Sequence, residues 1–383
     1  MRFDRTLTFS DLKGSAFLFG PRMTGKTFLL RALRSELYVD LLDPERELAL
    51  ARAPRTFWEE LQALPVGALV IVDEIQRVTA LLDYVQKGIE ELRLRFILSG
   101  SSARKLRRGG ANLLGGRAAD LRLHPLTVEE VGPKFDLSAA LQFGTLPKAA
   151  ELVLAGDLDE ARRFLRSYGT IYIKEEIQAE ALTRNVGAFQ RFLAVAAHSN
   201  GQVIEFANIS RECAVPASTV KEYFSILEDT LIGEFLWPWD RSERKKARPK
   251  FYFFDCGVVR SIEERLTDPP TPVEEGVLFE TWFFRELVRI RDYAEKEHSF
   301  ALWREGPHEV DFLVTRGGAP VLAFECKRSP ESLSSATVQA FRRRHSKTPI
   351  VVVTAQEVPP RRTEAGIEVL SWREAIERYR GLK

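Results

Sequence analysis

Cysteine, methionine and long apolar runs are scarce in this chain of 383 residues. Its three cysteines, Cys213, Cys256 and Cys326, are scattered, which argues against a disulfide framework or a cysteine-rich metal site and fits a reducing cytoplasm. No apolar run approaches the roughly 20 residues that a membrane helix needs, and the first residues show no signal-peptide pattern. We therefore expect a cytoplasmic protein without a membrane partner.

An excess of charge of one sign is also missing. The chain has 56 Lys and Arg residues against 54 Asp and Glu residues, a formal net charge of +2. Any contact with nucleic acid must therefore come from local basic patches. Hydrophobic residues make up 45% of the chain, enough for a large core, and the length predicts two or three domains.

The segment 15–30 contains an apolar run, the pattern G-x-x-x-x-G-K-T and the start of a helix-like pattern over 28–36. Glycines let backbone N–H groups approach phosphate oxygens without a side chain in the way. Lys26 would reach the β- and γ-phosphates, and the Thr27 hydroxyl would bind Mg²⁺. We therefore predict a P-loop that binds ATP with Mg²⁺. Its predicted residues are Gly20, Pro21, Arg22, Met23, Thr24, Gly25, Lys26, Thr27 and Phe28.

A second apolar run, over 68–72, ends in the carboxylates of Asp73 and Glu74. A carboxylate at the end of a core strand is costly unless a cation lies there. After a P-loop, this pattern is typical of a Walker B element. Asp73 would hold Mg²⁺ through its water shell, and Glu74 would polarise the attacking water.

Further short motifs follow in a fixed order. They are DEIQ at 73–76, LSGSS at 98–102, GR at 116–117 and LHPLTVEE at 123–130. Together with the P-loop they resemble a prokaryotic AAA+ ATPase family with a C-terminal DUF4143 region, and the resemblance covers nearly the whole chain. It implies an α/β fold in four parts: a P-loop AAA+ core at 1–132, a helical lid or connector at 133–186, a winged helix-turn-helix at 187–262 and a nuclease-like domain at 263–383.

The same resemblance implies roles for two polar residues. Ser99 stands where AAA+ ATPases have a residue that senses the γ-phosphate. Arg117 would act as an arginine finger on the nucleotide of a neighbouring subunit, with Arg104 as a competitor and an ordinary surface arginine as the alternative. A finger of this kind implies a homo-oligomer, with a hexameric ring as one form.

Residues 188–235 read as three helices, and two strands follow at 235–237 and 250–254, an order typical of a winged helix. The third helix is acidic, so we do not expect it to read bases in the major groove. The segment between the strands is densely basic, which favours contact with the DNA backbone without sequence preference over a merely solvated face. Its predicted DNA contacts are Arg241, Arg244, Lys245, Lys246 and Arg248, with Lys250 at the same solvated tip.

The C-terminal part follows a proline-rich linker at 268–272. A helix carries Glu280, one strand carries Asp311, and the next strand carries Glu325 and Lys327 on the same side. Carboxylates on apolar elements are costly to bury unless they meet a metal. Asp311 and Glu325 would bind Mg²⁺, or Mn²⁺ in its place. Glu280 would complete this site, and Lys327 would position or activate the attacking water.

This arrangement resembles the PD-(D/E)xK core of archaeal Holliday-junction resolvases and restriction-type endonucleases. It implies metal-dependent cleavage of DNA, with branched or repair-intermediate DNA as the substrate. A second basic patch would meet DNA beside the site through Arg342, Arg343 and Arg344. The alternative is a structural ion network of Asp311, Glu325 and Lys327 in a docking domain.

Three functions are therefore open at the level of sequence. The first is an ATP-hydrolysing, DNA-binding protein with a metal-dependent endonuclease domain. The second is a regulatory ATPase switch whose nuclease-like domain only docks DNA or protein. The third is a STAND-like scaffold in a defence or toxin–antitoxin setting.

Overall fold

A computed structural model describes residues 3–10, 12–100, 118–172, 186–239, 248–330 and 333–383. Within these ranges no helix combines the length and the apolar character needed to cross a membrane. Several residues with predicted roles lie outside the described residues, namely Arg104, Arg117, Arg241, Arg244, Lys245 and Lys246.

Parallel strands form the sheet of the N-terminal part. The strands are β1 Ser15–Phe19, β2 Leu37–Asp40, β3 Leu69–Asp73, β4 Arg95–Gly100 and β5 Ala118–Arg122, and the helices are α1 Lys26–Arg31, α2 Pro44–Arg52, α3 Arg55–Gln62 and α4 Leu81–Glu91. The described strands lie in the order β2-β3-β4-β1-β5. Because helices cover the middle of a parallel sheet on both faces, its central strands β1, β3 and β4 are largely buried apolar runs. The strand that precedes the P-loop and the strand that carries Asp73 are thus separated by β4.

Helix α1 is shorter than the sequence predicted, since it ends at Arg31 rather than near residue 36. The backbone N–H of Glu36 donates to the Leu69 carbonyl at 3.0 Å. The Glu36 carboxylate in turn accepts the Leu69 N–H at 2.7 Å. Glu36 is therefore hydrogen-bonded to β3, although the helical periodicity alone would place it in the helix.

The middle of the chain is mainly helical. Its elements are α5 Val128–Val131, α6 Leu137–Phe143, α7 Pro147–Leu154, α8 Leu158–Ser167, a π-helical turn Tyr168–Tyr172, α9 Val186–His198, α10 Phe206–Cys213, α11 Ala217–Asp229, β6 Gly233–Leu236, β7 Lys250–Phe253 and α12 Cys256–Ile262. Strands β6 and β7 are antiparallel. The helices and strands follow in the predicted order, and the winged helix itself stays a prediction. One hydrophobic core joins Leu165 of the predicted lid to Phe192, Phe224 and Phe251 of the predicted winged helix, and the domain boundaries stay predictions.

A mixed sheet and its helices make up the C-terminal part. The elements are α13 Pro272–Tyr293, β8 His298–Glu305, β9 His308–Arg316, β10 Ala319–Lys327, α14 Ser335–Arg344, β11 Ile350–Thr354, β12 Arg361–Arg362, β13 Glu368–Ser371 and α15 Trp372–Arg380. The described strands lie in the order β12-β13-β11-β10-β9-β8. Strands β8, β9 and β10 are antiparallel neighbours, while β11 is parallel to β10.

Helix α13 is the longest described helix, and its start is fixed by local chemistry. Thr271 is the N-cap residue and forms a reciprocal capping box with Glu274. Pro272 occupies the first helical position between them. The helix buries most of its length against the sheet. Phe135, which comes from the predicted lid, completes this core: its ring centre lies 5.7 Å from Trp282 of α13 and 5.4 Å from Trp372 of α15.

Candidate functional site

The glycine loop turns sharply between β1 and α1. A Cβ atom on Gly20 would stand 2.3 Å from the backbone oxygen of Leu123, so only glycine fits there. Gly25 caps α1 with a φ of 97°, a left-handed conformation that favours glycine. Met23 takes the same region with a φ of 63°. The loop therefore has the tight backbone turn, with left-handed residues, that a phosphate cradle requires.

Lys26 is buried and lies along the inside of the loop. Its ammonium donates to the carbonyl oxygens of Gly20 at 2.7 Å and Pro21 at 3.2 Å. The Thr24 hydroxyl donates to the same Pro21 carbonyl at 2.9 Å. Thr27 is half-buried and Phe28 is exposed. The loop thus holds one cation, the Lys26 ammonium, beside its own backbone.

Asp73 lies at the end of β3 with no exposed surface. The Tyr38 hydroxyl donates to one of its carboxylate oxygens at 3.0 Å, and the Ser99 hydroxyl donates to the other. Burial raises the pKa of Tyr38 well above its ordinary value, and the Asp73 charge raises it further, so this hydroxyl keeps its proton. Both partners are neutral donors, and no Lys, Arg or His among the described residues forms an ion pair with Asp73.

Ser99 also joins Asp73 to Glu74. Its hydroxyl oxygen accepts the Glu74 backbone N–H at 3.0 Å. Glu74 itself has a φ of 61°, a left-handed conformation that costs about 1 kcal/mol for a residue other than glycine. The Gln76 side-chain amide donates to the Glu74 carboxylate. These contacts hold the carboxylates at the same sheet edge as the glycine loop, because the strands are parallel.

Sequence reasoning missed Tyr38. It lies on β2 and pairs in register with Ile71, two residues before Asp73 on the neighbouring strand. The sequence shows it only as one tyrosine at the start of an apolar run. Its role depends on β2 lying beside β3, and the sequence alone does not give that strand order.

Arg5 connects the glycine loop to the C-terminal part. Its guanidinium donates to the carbonyl oxygens of Thr24 and His124, at 2.6 Å each, and to the Tyr293 hydroxyl at 3.1 Å. It also forms an ion pair with Glu130 at 3.0 Å, and the Arg5 side chain is only 6% exposed. Tyr293 ends α13, so one side chain spans the loop and that helix. A single arginine ahead of the first motif gave no signal in the sequence.

A second contact reaches the loop from the predicted lid. The Tyr168 hydroxyl donates to the Arg22 carbonyl at 3.0 Å. The Tyr168 ring packs 6.1 Å from Phe254, directly after β7. The backbone of the glycine loop is therefore contacted from two other parts of the chain, by Tyr168 and by Arg5.

The carboxylates predicted in the C-terminal part do come together. Asp311 on β9 accepts the Cys326 backbone N–H at 2.9 Å. Its own backbone N–H faces a Glu325 carboxylate oxygen at 3.4 Å. Lys327 forms an ion pair with Glu325 at 2.9 Å, which agrees with their predicted placement on one side of β10. Glu280 on α13 joins the group through a residue that the sequence assigned elsewhere.

That residue is Lys250, and the expectation that it lies at a solvated tip was wrong. Its side chain is 7% exposed, and its ammonium lies 2.7 Å from Glu280, 2.8 Å from Glu309 and 3.4 Å from Asp311. Tyr252, two residues on, donates to the same Glu280 oxygen at 2.5 Å. The physical reason is strand alternation: residues 250 and 252 of β7 point to one face, and that face meets α13 and β9. We call Glu280, Glu309, Asp311 and Glu325 the carboxylate cluster.

Burial controls protonation in this cluster. It raises the pKa of Glu280 to about 7 and that of Glu325 to about 8, and the Asp311 charge adds to both. Burial alone would lower the pKa of Lys250, but the surrounding anionic groups hold it well above its ordinary value. Burial alone would raise the pKa of Glu309, but its contacts with Lys250 and Arg304 together lower it.

The donor set, as arranged, does not fit a divalent metal. The Lys250 ammonium takes up one oxygen each of Glu280, Glu309 and Asp311. Across the residues that the structure describes, no group of three or more His, Cys, Asp or Glu side chains is arranged to hold a metal ion.

The predicted DNA contacts that lie within the described residues are at the surface. Arg342, Arg343 and Arg344 are all exposed at the end of α14. Arg342 donates to the Ala365 carbonyl, and Arg344 forms an ion pair with Glu305 at 3.0 Å. Arg248, also exposed, pairs with Glu205.

Three family models match the chain in succession. Residues 13–132 match an AAA domain, residues 134–268 match the domain of unknown function DUF8612, and residues 275–375 match the domain of unknown function DUF4143. A search of curated proteins gave no match.

Solved structures align only loosely. The Orc1 protein of Aeropyrum pernix in complex with DNA is 14% identical, with 66% of this chain and 86% of that chain covered and a TM-score of 0.32. The replication initiator DnaA, bound to AMPPCP and single-stranded DNA, is 13% identical, covers 57% and 83% of the two chains and has a TM-score of 0.30. A DNA polymerase III gamma subunit-related protein of Thermotoga maritima is 14% identical, with 57% and 93% covered and a TM-score of 0.27. TM-scores this low carry no argument.

The AAA and DUF4143 matches agree with the sequence resemblance, whereas the DUF8612 match was not predicted. The AAA match contains the glycine loop and the Asp73–Ser99 pair, and the DUF4143 match contains Glu280, Asp311, Glu325 and Lys327. The chain thus combines an N-terminal AAA domain with a C-terminal DUF4143 domain, as the sequence resemblance predicted.

Proposed function

We propose that this chain binds ATP with Mg²⁺ at the glycine loop and hydrolyses it. The observation that carries the proposal is the Ser99 hydroxyl, which joins the Asp73 carboxylate to the Glu74 backbone N–H. This junction lies at the sheet edge where the glycine loop leaves β1. One hydroxyl thus contacts both the carboxylate proposed to bind the cation and the residue proposed to activate water.

The residues present fit MgATP. Asp73 is a fully buried carboxylate whose described partners are neutral hydroxyls, so a cation would compensate its charge. The Thr27 hydroxyl and Asp73 would hold Mg²⁺, which neutralises charge on phosphate oxygens when it is bound. The Lys26 ammonium would exchange its loop carbonyls for phosphate oxygens. The absence of a side chain at Gly20 lets the loop pass close to the Leu123 backbone.

Glu74 is our candidate for orienting and polarising the attacking water. Its strained backbone and its hydrogen bond from Gln76 fix the carboxylate in one direction. Ser99 would then couple this group to the state of the γ-phosphate, since its hydroxyl contacts both Asp73 and the Glu74 amide.

Phosphate release in steady state and binding of a fluorescent ATP analogue test the proposal together. Lys26→Ala should lose nucleotide binding, because the phosphates lose their cation. Glu74→Gln should still bind the analogue but hydrolyse ATP about 10²–10⁴ times more slowly. Lys148→Ala, which removes an exposed lysine paired with Glu151, is the matched control and should behave as wild type. Undiminished turnover in Lys26→Ala or Glu74→Gln would refute the role assigned to that residue.

ATP would act as a switch for the rest of the chain. This inference is supported by the two contacts on the loop backbone, Tyr168 on the Arg22 carbonyl and Arg5 on the Thr24 carbonyl.

Assembly into a homo-oligomer, with Arg117 as a finger, and backbone-mediated DNA binding are further proposals. Exposure of Arg342, Arg343 and Arg344 supports the DNA contact, and a steep salt dependence of DNA affinity is the measurement that tests it.

Metal-dependent DNA cleavage is a second candidate function. The observation in its favour is that Glu325 lies beside both Asp311 and Lys327. Glu280 reaches Asp311 through Lys250. The presence of Lys250 among them speaks against it. Failure of the wild type to cut labelled four-way-junction DNA with Mg²⁺ or Mn²⁺ would exclude it.

A further inference from the structure

Backbone pairing on both sides holds Lys250 in place beside the C-terminal domain. It is the first residue of β7 and pairs with Leu236 of β6. An isolated bridge also joins it to Val203 on the other side. The backbone on both sides thus fixes the direction in which its side chain leaves the strand.

The three carboxylates around its ammonium come from two elements of the DUF4143 domain. Glu280 approaches from α13, and Glu309 and Asp311 approach from β9. At 2.7 and 2.8 Å, the contacts with Glu280 and Glu309 have the length of charge-assisted hydrogen bonds. An ammonium has three protons to donate, and three acceptors surround this one.

Most of the other carboxylate oxygens of the cluster also have partners. The Glu280 oxygen that contacts Lys250 also accepts the Tyr252 hydroxyl. The second oxygen of Asp311 accepts the Cys326 N–H, and the second oxygen of Glu309 accepts from Arg304. A divalent cation would have to share these oxygens with an ammonium a few ångströms away, and like charges repel strongly at that distance in a buried site.

We propose that Lys250 is a tethered cation that occupies the place a divalent metal would take, docks the β6–β7 hairpin on the DUF4143 domain and keeps that domain free of metal. The carboxylate cluster is then a socket for a side chain of the same chain. This assignment is independent of ATP hydrolysis, because none of its residues belongs to the glycine loop or to the Asp73–Ser99 pair.

A single substitution at Lys250 should reverse this exclusion of metal. Lys250→Met keeps an unbranched apolar stem and removes the charge. Glu280 and Asp311 would then lose their ammonium partner, and Glu309 would keep only its pair with Arg304. This loss destabilises the protein until another cation enters. A divalent ion is the natural replacement, since carboxylate oxygens are its preferred ligands.

The experiment uses the full chain without nucleotide. Thermal unfolding is followed in EDTA and in rising Mn²⁺, and bound Mn²⁺ is counted by electron paramagnetic resonance. For wild type we expect no shift of the midpoint and no Mn²⁺ bound at the cluster. For Lys250→Met we expect a lower midpoint in EDTA, recovery by several degrees in millimolar Mn²⁺, and one bound ion.

Two variants control the assignment. Lys250→Met combined with Asp311→Asn should lose the response to Mn²⁺, because a ligand is gone while the lysine is still absent. Lys148→Met removes an exposed lysine and should match wild type in both solutions.

Either of two results would overturn the proposal. One is a wild-type protein that binds Mn²⁺ and loses it in Asp311→Asn, which would show that Lys250 does not exclude metal. The other is a folded Lys250→Met that gains no Mn²⁺. If Lys250→Met does not fold, the wild-type measurement still decides the first point, and Lys250→Gln, which keeps a hydrogen-bond donor without the charge, decides the second.

Discussion

Replacing Arg5 with alanine removes a guanidinium that makes four contacts in a nearly closed site. The partner carboxylate of Glu130 is 1% exposed, so the substitution breaks a buried ion pair. Breaking such a pair typically costs about 3–5 kcal/mol. Glu130 keeps two backbone donors, Thr6 at 2.8 Å and Thr127 at 3.0 Å. We therefore expect a cost at the lower end, about 3 kcal/mol.

This cost can be measured as a fall in the thermal midpoint. For a cooperative unit of roughly 150–250 residues, about 3 kcal/mol corresponds to roughly 6–12 °C. Circular dichroism of the full chain during heating gives the midpoint. The expected fall should be larger than that of any exposed arginine, because the carbonyl oxygens of Thr24 and His124 also lose their donor.

Arg163 provides the matched control. It forms an ion pair with Glu160 at 3.0 Å, the same length as the pair of Arg5, but its side chain is 73% exposed. Exposed pairs contribute little, so Arg163→Ala should leave the midpoint nearly unchanged. Equal shifts for Arg5→Ala and Arg163→Ala would refute the reasoning, since burial would then make no difference to the pair.

Two more predictions concern the glycine loop and the end of α13. Gly20→Ala should abolish binding of a fluorescent ATP analogue, because its Cβ would meet the Leu123 oxygen at 2.3 Å, whereas Gly14→Ala has open space and should bind normally. Burial raises the pKa of Tyr293 to about 12, against about 10 in an unfolded chain, so only the folded state keeps this proton between those values. The free energy of unfolding should therefore fall as the pH rises from about 10 to about 12. Tyr293→Phe should flatten that fall in urea titrations, and an unchanged slope would contradict the assignment.

Local motifs could be read from the sequence because their chemistry is local. The glycine loop, the carboxylates after β3 and the helix that carries Glu280 each depend on residues within one or two elements. The bounds agree to within a few residues for most of them. The end of α1 is an exception, because the partner of Glu36 lies on a strand more than 30 residues away.

The contacts that give the sites their character are long-range, and the sequence held little trace of them. Tyr38 and Arg5 act through partners that only the strand order and the docking of α13 bring near. Lys250 was misread because it follows a basic run. The useful signal was its place one alternation before Tyr252 in the apolar strand KFYF, which points both side chains inward.

Phe135 bears on how the C-terminal domain could pass between genes. Its ring packs against Trp282 and Trp372, yet it stands more than 130 residues before the start of α13. A fragment that begins at the proline-rich linker would leave those tryptophans without this neighbour and the carboxylate cluster without Lys250. If recombination transferred such a fragment alone, its two tryptophans would be exposed and its carboxylates would lack the Lys250 ammonium. Lineages that exchange this domain should therefore exchange it together with the segment from Phe135 to Lys250, or acquire substitutions that replace both.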